Sequence, residues 1–153
     1  MNTIPTLQHL FETSYSKTEW FVSFKQAVKG LTHDEAIQKI HPDHSSVFEI
    51  TAHLTYWNER YLKKMKGIVQ SSPMITDNTQ TFTQSDFKTW DELLKNAEGV
   101  FTGWDEHLQT LSDKDREYFT AIANTAMHNA YHIGQIVTLR KLQGSWKSED
   151  GVK

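Results

Sequence analysis

Phe87, Trp90, Leu94, Ala97, Phe101, Trp104, Leu108 and Leu111 follow one another at intervals of 3, 4, 3, 4, 3, 4 and 3 residues. Only an α-helix buried along one stripe sets all of these side chains in a line, and the alternation is that of a helix-bundle seam. Gly99 and Gly103 fall inside the run. Each costs such a helix about 1 kcal/mol relative to alanine unless a neighbouring helix packs close against it. One long helix with a single apolar seam cannot stand alone, so the remaining sequence must supply partners for it.

It does. With 3 prolines and 7 glycines in 153 residues, long stretches run uninterrupted. Residues 5–29 carry Leu7, Leu10, Phe11, Trp20, Phe21, Phe24 and Val28 and read as one helix closed by Gly30. In "LTHDEAIQKI", Thr32 and Glu35 form a T-x-x-E capping box for a short helix, which Pro42 brings to an end. The next helix starts at Ser46 as N-cap with Glu49 at the third helical position. Its stripe is Val47, Ile50, Leu54, Trp57, Tyr61 and Met65. Lys63, Lys64 and Lys66 lie at its negative dipole end before Gly67. Residues 68–84 have no period and read as a long crossing loop, of the kind that often carries function. "SDKD" opens a last helix that runs to about residue 143, before Gly144. No strand signal and no internal repeat is present. The expectation is an all-α fold: an up-down four-helix bundle with a short extra helix and one long crossing loop, forming a single domain over residues 1–153.

Composition excludes several functions. The formal charge is −3, with Lys and Arg scattered among acids rather than clustered as a nucleic-acid surface requires. With 0 cysteines, disulfides, a catalytic thiolate and cysteine-based zinc knuckles are all ruled out. No apolar run approaches the roughly 20 residues that span a bilayer. The opening "MNTIPTLQHLFETS" has neither the basic start nor the apolar stretch of a signal peptide. A cytoplasmic protein without membrane or nucleic-acid partners is expected.

The last helix contains "TAMHNAYHIGQI", with His128 and His132 four positions apart. That spacing stacks two imidazoles on one helix face and resembles the HExxH of zinc peptidases, except that Asn129 replaces the glutamate. Phe119, Ile122, Ala126, Ala130, Ile133 and Val137 form one apolar stripe of this helix. Ala121, Thr125, His128, His132, Ile136 and Leu139 form another, so the histidines look into the bundle. Two readings compete. Carbonyls and hydroxyls can satisfy a pair of buried neutral histidines, or a third ligand on a facing helix can complete a metal site. His9, His33, His41, His44 and His107 are off-stripe, in loops or near helix ends. His53, mid-helix beside Leu54, is the best third candidate by geometry.

"SSVFEITAHLTYWNERYL" followed far downstream by "HNAYHIGQIVTLRKLQGSW" resembles the DinB family, including its YfiT-like branch. The likeness runs from about Leu31 onward and includes the tail residues Leu139, Arg140, Gly144 and Trp146. It implies a four-helix bundle with a divalent transition-metal site whose ligands are His53, His128 and His132. It departs from the family at "SSVFEI", where Ser46 and Val47 stand in place of a common Ser-Trp. Three neutral imidazoles leave a 2+ ion its full charge and open positions, a catalytic rather than a structural arrangement. Such a shell suits zinc, nickel, cobalt or iron, zinc or nickel first.

Asn129 cannot take a proton from a metal-bound water, so the peptidase reading is poor. Glu59, Tyr56 and Tyr131 are the other acid-base candidates, each weighed against a surface or packing role. The resemblance suggests transfer of a low-molecular-weight thiol, as cosubstrate, to an electrophilic small-molecule substrate. The alternatives are a hydrolase using metal-bound hydroxide and a non-catalytic metal-binding stress or interaction protein. A homodimer is expected, because relatives tend to pair and aromatic-rich helices leave a face over. Residues 41–46 and 68–84 are expected to rim the pocket.

Overall fold

A computed structural model describes residues 3–83 and 85–153, and its regular elements are all helical. They are α1 (Thr3–Tyr15), α2 (Phe24–Val28), α3 (His33–Ile37), α4 (Val47–Met65), α5 (Gln80–Thr83), α6 (Trp90–Gln109) and α7 (Phe119–Gln143). A 3₁₀ segment at Asp113–Tyr118 leads into α7, and another follows at Ser148–Asp150. Met1 and Asn2, part of the N-terminal stretch read for a leader, and Gln84, the end of the expected crossing loop, lie outside the described residues.

The four long helices form the bundle. α4 packs on α6 and α7, and α1 closes the other side against the same two. Capping boxes start the elements that position the interior: Thr32 with Glu35, Ser46 with Glu49, and Thr89 with Glu92. In each, the hydroxyl accepts the N3 amide proton while the glutamate accepts from the cap residue's own N–H. Aromatic rings fill the space between helices. Phe11 stacks on Trp104 at 4.6 Å and Tyr15 on Phe101 at 4.9 Å. Trp90, Ala97, Phe101, Trp104 and Leu108 of the seam are buried in α6, but Leu93 is buried where the seam has Leu94, which is only half-buried.

Three expectations need correction. Residues 5–29 are not one helix. α1 stops at Tyr15, where the amides of Ser16 and Lys17 both donate to the Glu12 carbonyl. Thr18 Oγ1 then accepts the Ser23 amide, and Ser23 caps α2 by accepting from Gln26. These short hydroxyl side chains bind nearby backbone better in a turn than in a helix. Trp20, placed on the apolar stripe, is 95% exposed. Second, "SDKD" opens a 3₁₀ segment, and α7 itself begins at Phe119. Third, the described residues hold three short helices, α2, α3 and α5, where one was expected, and α5 lies inside the supposed crossing loop.

The two seam glycines also differ. A Cβ on Gly103 would meet Leu62 Cδ2 at 2.9 Å, so α4 does approach closely there, whereas Gly99 has nothing within 4 Å. None of the described helices is long and apolar enough to cross a membrane.

Candidate metal centre

His53 sits in the middle of α4 and is 2% exposed. His128 and His132 project from consecutive turns of α7. The Nε2 atom of His128 lies 3.0 Å from Nε2 of His53 and 3.0 Å from Nε2 of His132. One nitrogen from each ring falls within 4.8 Å of the others.

Hydrogen bonds determine which nitrogens carry protons. The Thr81 hydroxyl donates to the Asn78 carbonyl at 2.6 Å. Its oxygen is therefore the acceptor for His53 Nδ1–H, also at 2.6 Å, and Nε2 of His53 is left bare. The Gln135 amide oxygen accepts from His132 Nδ1–H at 2.6 Å, which leaves Nε2 of His132 bare as well. Two lone pairs thus converge on His128 Nε2, which can offer a proton to only one of them. A cation at the focus satisfies all three. Nitrogens on a tetrahedral ion at about 2.0–2.1 Å lie roughly 3.3 Å apart, close to the two 3.0 Å separations at His128 Nε2.

The histidines are held neutral, the state a ligand needs. Burial, then the imidazoles of His132 and His128, push the pKa of His53 down from 6.5 to about 3. Burial and His132 lower His128 to about 4. His132 is also depressed by burial, an effect its bond to Gln135 opposes.

The aperiodic segment after α4 covers the centre. Phe82 of α5 stacks on the His53 ring at 3.9 Å and 10°, and Thr81 beside it is buried. Two cavities flank the site. The larger, about 890 Å³, is lined by all three histidines together with Asp43, His44, Ser45, Asn78 and Phe82. Of the segments expected at the rim, Asp43, His44 and Ser45 of the first and Asn78 and Phe82 of the second line it. The smaller, about 340 Å³, is walled by Trp57, Tyr61 and Thr125 and touches His128.

The other candidates lie elsewhere. Asn129 is buried and faces Asn58 of α4 in the core. The Tyr56 hydroxyl accepts the Ile75 amide at 2.9 Å and so anchors the loop. Glu59 pairs on the surface with Lys63 at 2.9 Å. Of the three acid-base candidates, Tyr131 alone lines either cavity, with its ring 5.0 Å from that of His132. His33 accepts the Trp90 amide at 3.1 Å, and His9 lies 3.2 Å from Glu19. His41 is 3.6 Å from Asp43, His107 is in the last turn of α6, and His44 reaches the cavity rim but not the cluster. Val47 packs in the core and is not among the residues lining either cavity.

Sequence reasoning missed Thr81, Phe82 and Asn58. Nothing in an aperiodic polar run marks one threonine as a histidine's partner. Gln135 was readable in principle, since it lies one turn beyond His132 on the same helix.

A helical bundle whose facing helices bring three buried or half-buried histidines to one focus, beside open cavities, has the arrangement of a site that could hold a metal ion. The DinB superfamily is matched over residues 22–138, and the chain belongs to it. No curated protein and no solved structure matches the chain significantly. The matched span contains all three histidines and ends before the tail residues Arg140, Gly144 and Trp146. Those act structurally. Arg140 donates to the carbonyls of Ala27 at 2.8 Å and Lys29 at 3.1 Å, tying the end of α7 to α2 beneath the Trp146 ring.

Proposed function

We propose that His53, His128 and His132 hold one divalent transition-metal ion, zinc or nickel, and that the protein transfers a low-molecular-weight thiol to an electrophilic small molecule. The observation that carries the metal assignment is the convergence of bare Nε2 atoms whose tautomers are held by Thr81 and Gln135. A bound ion would supply a Lewis acid that favours the thiolate form of a coordinated thiol. The chain's own contribution is to orient the rings, shield one face of His53 with Phe82, and leave the cavity side open to reactants.

The chain has 0 cysteines, so the nucleophilic sulfur must arrive with the cosubstrate. In the transfer, the sulfur lone pair forms the new S–C bond. The pair of the broken C–X bond departs with X, and the thiol proton leaves as HX or passes to water. In this reading residues 1–153 act as one cytoplasmic domain, as a homodimer.

The test begins with elemental analysis of untagged protein beside His53→Ala and His128→Ala. About one equivalent of metal in the wild type, lost in both variants, is expected. Conjugation of 1-thioglycerol to an electrophilic probe such as monobromobimane should then require the metal and vanish in His53→Ala. Metal-loaded protein inert with a panel of small thiols would sink the transfer reading. Metal-dependent hydrolysis of esters without any thiol would replace it with the hydrolase.

A further inference from the structure

The outer face of α7 lacks what a solvated helix face ordinarily carries. From Phe119 to Leu139 the sequence has no aspartate, glutamate, lysine or arginine, although parts of this stretch are exposed. α6 shows the usual pattern, with Asp91, Glu92, Lys95, Glu98 and Glu106 on its exposed side. On α7, Tyr131 is instead 65% exposed and Leu142 63%. Tyr131, Gly134, Thr138 and Leu142 follow one another at helical spacing, and all line the larger cavity together with His53, His128 and His132. The cavity is thus a trough along α7. At about 1.5 Å per residue it extends roughly 15 Å from His132 to Leu142.

The polar side chains on this wall are already bonded within α7. The Thr138 hydroxyl donates to the Gly134 carbonyl at 2.9 Å. Gln135 accepts from His132 through its amide oxygen and donates to the Tyr131 hydroxyl at 3.4 Å through its nitrogen. What remains to meet a ligand is mostly apolar: the Tyr131 ring, the Thr138 methyl, Leu139 and Leu142, with Ile50 of α4 and Phe82 of α5. The polar lining from Asp43 to Ser45 comes from the loop before α4, not from this wall. A Cβ on Gly134 would have nothing within 4 Å, so no packing contact requires glycine there, and its lack of a side chain keeps the trough open. A hydrocarbon chain displaces water from such a wall favourably, whereas a polar one loses its hydration and finds few free partners.

We propose that the larger cavity binds an amphiphile, with a compact polar head at the histidine focus and an unbranched apolar chain laid along α7 toward Leu142. An extended chain advances about 1.2 Å per bond, so a head and about ten carbons fill the length. In the transfer reading above this ligand is the electrophile. That role, and the capture of the head by an ion, rest on that reading; the apolar trough does not.

Calorimetric titration of the metal-loaded full chain with acetohydroxamate, hexanohydroxamate, decanohydroxamate and dodecanohydroxamate tests this, since the head is constant and only the chain grows. Affinity should rise about twofold per methylene, half the free energy of full burial because the trough is open along one side, and level off after ten carbons. Leu142→Asp should weaken decanohydroxamate about tenfold and leave hexanohydroxamate within about twofold, whereas Thr138→Asp, about 9 Å along α7 from His132, should weaken both. Metal content reports whether each variant keeps its centre.

Affinity independent of chain length, or gains that survive both substitutions as unspecific adsorption would, overturns the proposal even if metal and conjugation are found. Protein that holds no metal is titrated with 1-octanol, which has no chelating head. Shifts of the Gly134, Thr138 and Leu142 amide resonances, lost in Thr138→Asp, would keep the trough and remove the metal reading. No shift at those amides would remove both.

Discussion

Asn58 and Asn129 face each other across α4 and α7 through a reciprocal amide pair. Asn58 Nδ2–H donates to Asn129 Oδ1 at 2.7 Å, and the return bond is 3.1 Å. Both residues are fully buried. The second amide proton of Asn58 goes to the Leu54 carbonyl at 2.8 Å, and the Asn58 carbonyl accepts the Trp104 indole N–H at 3.1 Å. One polar knot thus joins α4, α6 and α7 behind the histidines. The residue that occupies the peptidase glutamate's position between the two histidines is a core fastener.

Asn129→Glu restores an HExxH sequence but buries a carboxylate opposite Asn58, where no cation lies. Breaking a buried polar arrangement in this way costs about 3–5 kcal/mol. We expect a correspondingly lower urea midpoint at pH 7 and no peptidase activity. A variant as stable as wild type would contradict the placement of this side chain.

Thr81 holds the His53 tautomer from a segment that contributes no ligand. Thr81→Val removes the acceptor for Nδ1–H at nearly constant volume, whereas Thr81→Ser keeps it. Loss of such a partner lowers metal affinity by about 10–100-fold. Competition with a chromophoric chelator should show that loss for valine and near-wild-type affinity for serine. Equal affinity in both would mean that the 2.6 Å bond does not orient the ring.

The metal-free fold should weaken as pH falls. His53 and His128 titrate near 3 and 4 in the folded chain, against 6.5 for an ordinary histidine. Between these limits the unfolded chain binds more protons than the folded one, so protonation favours unfolding. Beyond the cluster itself, the titratable groups on the adjoining cavity wall are Asp43, His44 and Tyr131. Thermal melts of metal-stripped protein should be level above about pH 7 and decline steadily from about 6.5 toward 4. His53→Leu should flatten part of that decline. A melting temperature independent of pH over the interval would refute the buried, neutral state.

Gly99 and Gly103 lie one turn apart on α6 and should respond oppositely to alanine. Gly99→Ala meets open space and gains helix propensity, stabilising by about 1 kcal/mol, or roughly 2–4 °C in Tm for a chain of this size. At Gly103 the new methyl would lie 2.9 Å from Leu62 Cδ2, so the gain is cancelled or reversed. Paired melts of the two variants decide it, and equal stabilisation would show that α4 yields easily at that contact.

Much of this molecule is local. Three capping boxes, a seam spaced by threes and fours, and a glycine at φ +76 after α7 mark the helices, because each depends on residues within a turn or two of one another. The pairing of His128 with His132 is local in the same sense, since a helix brings i and i+4 together whatever surrounds it. The break after Tyr15 was not legible. Helical spacing continues through Trp20, and only packing shows that its ring is left in solvent while Phe24 turns into the core. That His53 completes the cluster, that Thr81 sets its tautomer, and that Asn129 turns to Asn58 depend on contacts spanning 75, 28 and 71 residues. Local spacing determined the helices and the histidine pair; the packing of α4 and the crossing segment against α7 decided what the pair faces, because contacts at that range form only when the whole bundle closes.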